Sequence, residues 1–572
     1  FSGASAQLDA RVFTPLGYLQ QTAIAGSTVE RDVDLLRLET TFVHSDPETA
    51  VTYRAGDAIS RGPVWARPIR FGGLQAERNF GLRPDLVTAP LPAVSGSAAV
   101  PSTVDVFVDN VRTFSRDVPA GPYQISNLPV FSGGANARVV VRDASGRTVE
   151  ANVPFFSSSR MLREGALDFS IQAGLPRLSY AIRSDVYSDR PVGVGSVRYG
   201  VADTLTVEAH AEGGAGLVNA GAGLVTTAGG FGVFSLAGRA SRYRDEMGYQ
   251  GYASFETSLF GLSLSASSQR SFGRFEDLAS VTARLAQIEK LVDRYGDGWR
   301  DPSVLDPTVT GSIARTSRAP RALDRISVGL PLPSLKASVG VSFVNLERGG
   351  GDKARIVAAS YSQSFGRTAS FSVNAFADLQ GRDAGVFAGL SVPLGETAQV
   401  SAGAVSNRNG TYATADASKP LGIAPGDYGW RVRAVQGRDE ENSYRSASGA
   451  YRSSFARTEA SVEQYGRGYR VTAEAEGALV AMPEGVFATN RIDDSFAVVK
   501  VGVPEVEVFH ENRLVGRTGT TGSILVPNLR SHQHNRVSIA PARPPVDAHV
   551  TRTDEIVVPA QKSGVALDFG VE

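Results

Sequence analysis

Apolar and polar residues alternate one for one over most of this chain, in segments of roughly eight to ten residues parted by Gly, Asn, Asp or Arg turns. Leu205, Val207, Ala209 and Ala211 alternate with Thr206, Glu208 and His210. Leu335, Ala337, Val339, Val341 and Phe343 alternate with Lys336, Ser338, Gly340 and Ser342, and Tyr469, Val471, Ala473 and Ala475 with Arg470, Thr472, Glu474 and Glu476. A period of two sends successive side chains to opposite faces of a strand, so each segment has one apolar face and one charged or small-residue face. The first such segments are Gln7 to Phe13, Leu19 to Ile24, Asp34 to Phe42, Ala50 to Ala55 and Val64 to Leu74, and the pattern resumes from about Leu167 to about Met482. The count reaches about 24, with no helices between most of them to cover the apolar faces. An open sheet that wide would also carry unpaired edges, which closure removes. The expected fold is therefore all-β, a large transmembrane β-barrel of about 24 antiparallel strands. Tandem soluble sandwiches are the rival.

Three stretches break the rhythm. Residues 92–156 read as a small β-sandwich, with Val104, Val106 and Val108, a turn region at Pro119, Gly121 and Pro122, a second run at Ala137, Val139 and Val141, and a turn from Asp143 to Gly146. It separates the first barrel strands, 1–91, from the remaining ones, 157–485. A barrel of this strand number encloses a lumen too wide for side chains to fill, and an insert tethered at both ends can plug it; an insert that never enters the lumen fits the spacing equally well. Between Phe272 and Ala322, Leu278, Val281, Leu285, Ile288, Leu291 and Val292 fall at helical spacing, which predicts an amphipathic helix near 276–295. That helix is either a latch on the plug or part of an exposed loop. Residues 486–572 read as a separate C-terminal β-sandwich domain.

Composition narrows the chemistry. The 572 residues carry 58 basic and 58 acidic side chains, which gives no electrostatic reason to expect nucleic acid. Cys is absent, so disulfides, thiol nucleophiles and thiolate metal sites are excluded. No run approaches the roughly 18 to 20 apolar residues of a spanning helix. A start at Phe1, with no Met and no basic-then-apolar leader, suggests an export signal upstream.

The run Val104-Asp-Val-Phe-Val-Asp-Asn, then Val118-Pro-Ala-Gly-Pro-Tyr-Gln-Ile-Ser-Asn-Leu, Ala137-Arg-Val-Val-Val-Arg-Asp-Ala-Ser-Gly and Val153-Pro-Phe, resembles the middle domain of outer-membrane fimbrial ushers. Met161-Leu-Arg-Glu-Gly-Ala-Leu-Asp-Phe-Ser looks like the strand re-entering the barrel. Pro119, Gly121, Pro122, Tyr123, Asp143, Gly146 and Pro154 carry this plug-domain motif. Upstream, Gly56, Asp57, Gly62, Phe71 and Gly73 are similar to the family's strands before the plug. Ile492-Asp-Asp-Ser-Phe-Ala-Val-Val, Gly516-Arg-Thr, Gly522-Ser-Ile-Leu-Val-Pro-Asn-Leu and Asn535-Arg-Val-Ser-Ile resemble the usher's first C-terminal domain, with Phe496, Gly516, Gly522, Pro527, Leu529 and Asn535 as the matching positions.

The resemblance implies a non-enzymatic assembly platform in the outer membrane of a Gram-negative cell. Ushers receive periplasmic chaperone–pilus subunit complexes, order their polymerisation by donor-strand exchange, a form of strand addition, and pass the pilus fibre through a plug-gated barrel. The expected contacts are those complexes, the fibre and outer-membrane lipid, with no cofactor, metal or nucleic acid; a homodimer stays open. The family's N-terminal periplasmic domain has no counterpart after Phe1, and its second C-terminal domain none before Glu572. A passive plugged porin or transporter, or a soluble sandwich adhesin, are the alternatives. His532 and His534 lack a third metal ligand nearby, Glu474 and Glu476 read as lumen-lining, Asp293 to Asp301 lacks calcium-loop spacing, and Glu347-Arg-Gly-Gly-Gly-Asp reads as a hairpin loop. No catalytic set emerges.

Overall fold

The structure is a computed structural model that describes residues 3–28, 31–90, 94–98, 102–108, 111–118, 121–125, 133–143, 148–259, 261–296, 307–366, 368–381, 383–408, 410–438, 443–540 and 552–570. Alternation produces a meander of antiparallel strands. Five come first, β1 (Gly3–Thr14), β2 (Gly17–Thr28), β3 (Arg31–Asp46), β4 (Val51–Ile59) and β5 (Arg70–Arg78). An inserted group follows, β6 (Val94–Ala98), β7 (Ser102–Val108), β8 (Val111–Val118), β9 (Gly121–Ile125), β10 (Gly133–Asp143) and β11 (Thr148–Ser157). The strands β12 to β29 then run from Leu167 to Met482, and a short return, β30 (Gly485–Thr489), completes a 24-stranded sheet.

The faces of that sheet are inside out relative to a soluble protein. In β14 (Leu205–Gly214), Thr206, Glu208, His210 and Glu212 are buried while Val207, Ala209 and Ala211 are exposed. Val218, Leu236, Tyr249, Val341 and Val471 are exposed elsewhere on the wall, and Gln75, Glu77, Gln172 and Arg239 are buried. Large apolar groups out and charged groups in is the arrangement lipid selects. No helix among the described residues is long and apolar enough to cross a membrane.

The inserted group does not interrupt the wall. β5 pairs directly with β12 (Leu167–Pro176), Gly73 facing Gly174. A Cβ on Gly73 would lie 2.1 Å from the Ala173 carbonyl oxygen, and one on Gly174 2.3 Å from that of Gly72, so this seam needs glycine on both sides. Within the insert, β11-β10-β7-β8 form one sheet and β6-β9 another, around buried Val104, Val106, Val118, Val139 and Val140. Gly121, Pro122 and Tyr123 open β9, Asp143 ends β10 and Pro154 lies within β11; Pro119 and Gly146 lie outside the described residues.

Because neighbours alternate in direction, the β1–β2 turn, both linkers to the insert and the C-terminal domain share one end of the wall. Loop 60–69, loop 177–191 and the helices share the other. The C-terminal domain packs a sheet of β31 (Ser495–Lys500), β34 (Ser523–Leu529) and β37 (Gly564–Asp568) on one of β32 (Glu507–His510), β33 (Arg513–Arg517), β35 (Asn535–Ile539) and β36 (Asp554–Val557). Its core includes Val499, Val508, Val526, Leu529, Val537 and Phe569.

Three local expectations change. The strand expected over Val64 to Leu74 begins only at Arg70, since Pro63 and Pro68 lack the N–H a ladder requires. Leu335 and Lys336 belong to a turn, with Lys336 left-handed at φ 49°, and their strand starts at Ala337. The helix expected near 276–295 is α1 (Leu278–Tyr295), but a second, α2 (Pro307–Ser317), follows it unforeseen. Its Thr, Ser and Gly content gives poor helix propensity, which hid it.

Gly73→Val should abolish the β5–β12 pairing and the heat-modifiable folded band on semi-native gels, well beyond the ~1–3 kcal/mol typical of overpacking. Gly238→Ala, where a Cβ meets nothing within 4 Å, should leave that band unchanged.

Candidate functional site

Loop 60–69 turns inward from the β4–β5 junction instead of extending the wall, and its side chains meet a cluster of buried charges. Trp65 is 2% exposed, and its indole N–H donates to Glu208 Oε2 at 2.9 Å. Gly62 lies against the His210 ring, where a Cβ would come within 3.2 Å of Cε1. His210 bridges Ser196 Oγ, 2.8 Å from Nδ1, and Glu212 Oε1, 3.0 Å from Nε2.

The helix closes over this loop. Asp277 is the N-cap of α1: its Oδ1 accepts from the Ser280 N–H at 2.9 Å, and the same carboxylate takes a two-pronged contact from the Arg67 guanidinium. Arg239 adds a 3.4 Å contact to Asp277 Oδ2 and stacks 4.7 Å from the Phe275 ring centroid. The Leu278 N–H donates to Glu212 Oε2 at 2.8 Å, so one carboxylate ties His210 to the helix start. Beneath the polar contacts, Leu278 and Val281 pack with Ile69, Val192, Val194 and Leu217, and Leu285 lies against them. Ile288 is half-buried. At the far end of α1, Arg183 of loop 177–191 reaches Asp293 and Glu289.

A second network holds the strands that lead into the loop. Asp57 accepts from the Thr40 N–H at 2.9 Å and the Tyr187 hydroxyl at 2.5 Å, and pairs with Arg37 and with Arg177, whose side chain is 1% exposed. Gly56, at φ +118°, brings the backbone so close to Thr40 that a Cβ would stand 2.2 Å from its carbonyl oxygen. Phe71 is buried next to Gly72, which passes under the Tyr187 ring. Of the five pre-plug positions, Gly62 lies in the first network, Gly56 and Asp57 in the second with Phe71 beside it, and Gly73 at the β5–β12 pairing.

The other expected positions lie at the opposite end. Phe496 sits edge-on to Phe13 of β1, ring centroids 5.7 Å apart. Asn535, fully buried, clamps the turn before β35: its amide donates to the carbonyls of Arg530 and Gln533, both at 2.8 Å, and its oxygen accepts from the Arg530 N–H. Gly522, at φ +70°, leaves no room for a side chain, since a Cβ there would stand 2.4 Å from the Gly502 carbonyl carbon, and Leu529 and Val526 anchor the core beside Pro527. His532 lies in the Asn535-clamped turn, its pKa pushed down by burial. No cluster of three metal-ligating side chains occurs among the described residues. The inserted domain approaches the wall through β10 against β17 (Glu246–Leu259) and β11 against the turn at Gly229–Phe231, at the end away from α1.

Trp65, Arg67, His210, Glu212, Arg239 and Asp277 were not singled out from the sequence. One signal was available: Asp277 stands just before the first helical apolar residue, where an N-cap belongs.

A family model described as outer membrane usher protein matches residues 50–275 and 342–569. The chain is 24% identical to the outer membrane usher protein FaeD of Escherichia coli over 87% of its own length and 60% of that protein's. It is 26% identical to the usher FimC of Bordetella pertussis over 90% of its length and 58% of that protein's, so it spans about three fifths of these relatives. In structure it is similar to a chain of an E. coli P pilus tip assembly intermediate, PapC-PapD-PapK-PapG, with TM-score 0.69, 16% identity and coverage of 97% of this chain and 68% of that one. The PapC translocation pore of the P pilus usher aligns with TM-score 0.50 at 17% identity, over 83% of this chain and 95% of that one.

The α1 contact has a defined pH range. Burial alone would raise the Asp277 pKa, but the Arg67 and Arg239 guanidiniums and Ser280 hold it at about 2. A depressed carboxylate pKa contributes stability above the unfolded value of about 3.9 and loses it as pH falls through the folded one. In a Trp299→Phe, Trp430→Phe background, acrylamide quenching of Trp65 should stay low from pH 7 to 5 and rise only as pH falls from about 4 toward 2. Asp277→Ala removes a partner of the buried Arg239 and of the partly buried Arg67, so it should weaken loop docking by ~1–3 kcal/mol and raise Trp65 quenching at neutral pH.

Proposed function

Because the chain belongs to the outer membrane usher family, we propose that it is a gated secretion pore that orders chaperone-delivered fimbrial subunits into a fibre and passes the fibre through its barrel. It resides in the outer membrane. Residues 92–156 close the pore at rest, and the C-terminal domain, on the same end of the wall, receives incoming subunits from the periplasm. Assembly proceeds by donor-strand exchange: the extension of one subunit replaces the chaperone's strand in its neighbour, and better strand packing supplies the free energy without nucleotide or catalytic chemistry in this chain.

The observation that carries the gating reading is the direct pairing of β5 with β12. Both linkers of the insert leave adjacent strands at the same end, so the domain can swing out without breaking a single wall hydrogen bond. Loop 60–69 supports it from the other side. It occupies the lumen beside the strands that launch the insert, and α1 pins it there through Asp277, which pairs with Arg67, and Leu278, which packs with Ile69. In this reading α1 is a latch that acts on the insert through the loop.

Planar-bilayer conductance tests the gate. The parent should be quiet, and a variant with residues 92–154 replaced by a Gly/Ser linker should conduct steadily. Leu285→Asp with Ile288→Asp should raise resting conductance to an intermediate level; unchanged conductance would remove α1 from the gate. Binding of a chaperone–subunit complex to the full chain, lost on deleting residues 500–572, tests the assembly role separately.

A further inference from the structure

A charged network faces outward from the wall among apolar neighbours. Cross-strand register carries the lumenal face from the buried Gln250 and Ser254 of β17 to Ser271 and Ser267 of β18 (Leu262–Gly273) and on to Arg325 of β19 (Ala322–Leu332), so Arg270 and Asp324 point the other way. The Arg270 guanidinium donates two hydrogen bonds to the Asp324 carboxylate, at 2.6 and 2.8 Å. Asn345 of β20 (Ala337–Glu347) donates to Asp324 Oδ2 at 2.8 Å, and Arg355 of β21 (Lys353–Phe365) donates from Nε to Asn345 Oδ1 at 3.2 Å. At the strand ends beside them, Glu347 pairs with Lys353 at 3.3 Å and with Arg321 at 3.9 Å.

Position makes this network informative. Toward the helix end of the wall, Phe272 and Tyr249 face outward and are exposed; toward the other end come Ile326, Val328 and Leu330 on β19 and Phe343, Val341 and Val339 on β20. The charges thus lie between rim aromatics and the apolar band, where hydrocarbon gives way to headgroups. An ionisable side chain on that surface marks a functional contact. Arg270, Arg321, Lys353 and Arg355 outnumber Asp324 and Glu347, and Arg355 gives only its Nε to the network, with no carboxylate ion-paired to it among the described residues. Beside Arg270 the outer surface sinks into a depression of about 530 Å³, floored by Ala222, Gly238, Gly251 and Ala253, with Leu236 and Arg270 at its sides.

We infer that this patch binds a membrane lipid whose headgroup ends in a phosphate monoester, with the phosphate held by Arg355, Lys353 and Arg270 and an acyl chain laid in the depression. Charge selects the headgroup. Guanidinium forks match phosphate oxygens, whereas a zwitterionic headgroup brings its own cation to a surface already basic. Asp324 and Asn345 act as positioning residues, fixing the basic side chains in one row across β18 to β21. The occupant is a lipid and not a soluble anion because the charges adjoin an apolar depression that opens on the bilayer, where an alkyl chain fits and a hydrated ion gains nothing. The leaflet rests on the reading proposed above: with the C-terminal domain in the periplasm, this end of the wall meets the outer leaflet. β18 and β19 carry α1 and α2 between them, so the bound headgroup ties the base of that helical excursion to the membrane.

The absence of Cys makes site-specific labelling clean. Ala253→Cys, on the floor of the depression, is labelled with a fluorophore, and the full chain is reconstituted in phosphatidylcholine vesicles that carry a minor fraction of brominated phosphatidic acid or of brominated phosphatidylcholine. Phosphatidic acid should quench at a mole fraction about tenfold lower. Arg355→Gln with Lys353→Gln should remove that preference, while Arg445→Gln, at an exposed arginine of β27 (Tyr444–Arg452) outside the cluster, should keep it; the heat-modifiable band reports the folding of each. Equal quenching by the two lipids in the parent, or a preference that survives the double variant, would overturn the inference. Excess inorganic phosphate should leave the preference intact, and its loss would place a soluble anion at the cluster and overturn the lipid assignment. If the double variant does not fold, Arg355→Lys, which keeps the charge without the fork, should weaken the preference, and an unchanged preference there would overturn the inference equally. Quenching reads neither conductance nor subunit capture, so failure here would leave the gating and assembly readings standing, and theirs would leave the lipid contact standing.

Discussion

In hydrocarbon a backbone N–H or C=O has no water to turn to, and each must find its partner on a neighbouring strand. Most of this architecture follows from that constraint. It forces an unbroken antiparallel ladder, so any inserted domain must leave and return between strands that already pair with each other, as β5 and β12 do. It also makes tight backbone passage valuable: Gly73 and Gly174 let the two strands meet where any Cβ would obstruct a carbonyl.

The second determinant is width. A sheet of this size encloses more space than inward side chains can fill, and what occupies that space is backbone as much as side chain. Loop 60–69 enters with Trp65 and Arg67 and meets acids on the lumenal faces of β14 and at the start of α1. Buried charges are tolerated there because they are partnered: Asp277 by Arg67 and Arg239, and Glu212 by the Leu278 N–H and by His210 Nε2 3.0 Å away. Such a cluster stabilises little in itself, but removing one member leaves another uncompensated. The C-terminal domain, by contrast, is held by an ordinary apolar core and by Asn535 satisfying a turn.

Much was legible beforehand because a period of two is a local property. Thr206 to Glu212 declare an apolar and a polar face whatever surrounds them, and repetition of that pattern without covering helices implied a barrel. Helical spacing from Leu278 to Val292 likewise marked α1. Local rules also failed locally: alternation carried Val64 and Leu335 into strands that Pro63, Pro68 and the turn at Pro333 exclude, and weak propensity concealed α2.

By itself, then, the sequence determined the fold class, the place of the insert, the first helix and the family, since each rests on spacing or on contiguous motifs. Tertiary structure alone decided which polar residues of the lumenal face matter. Asp277 is 210 residues from the Arg67 it pairs with, and Trp65 is 143 from Glu208. Barrel curvature brings such pairs together, and no periodicity encodes them.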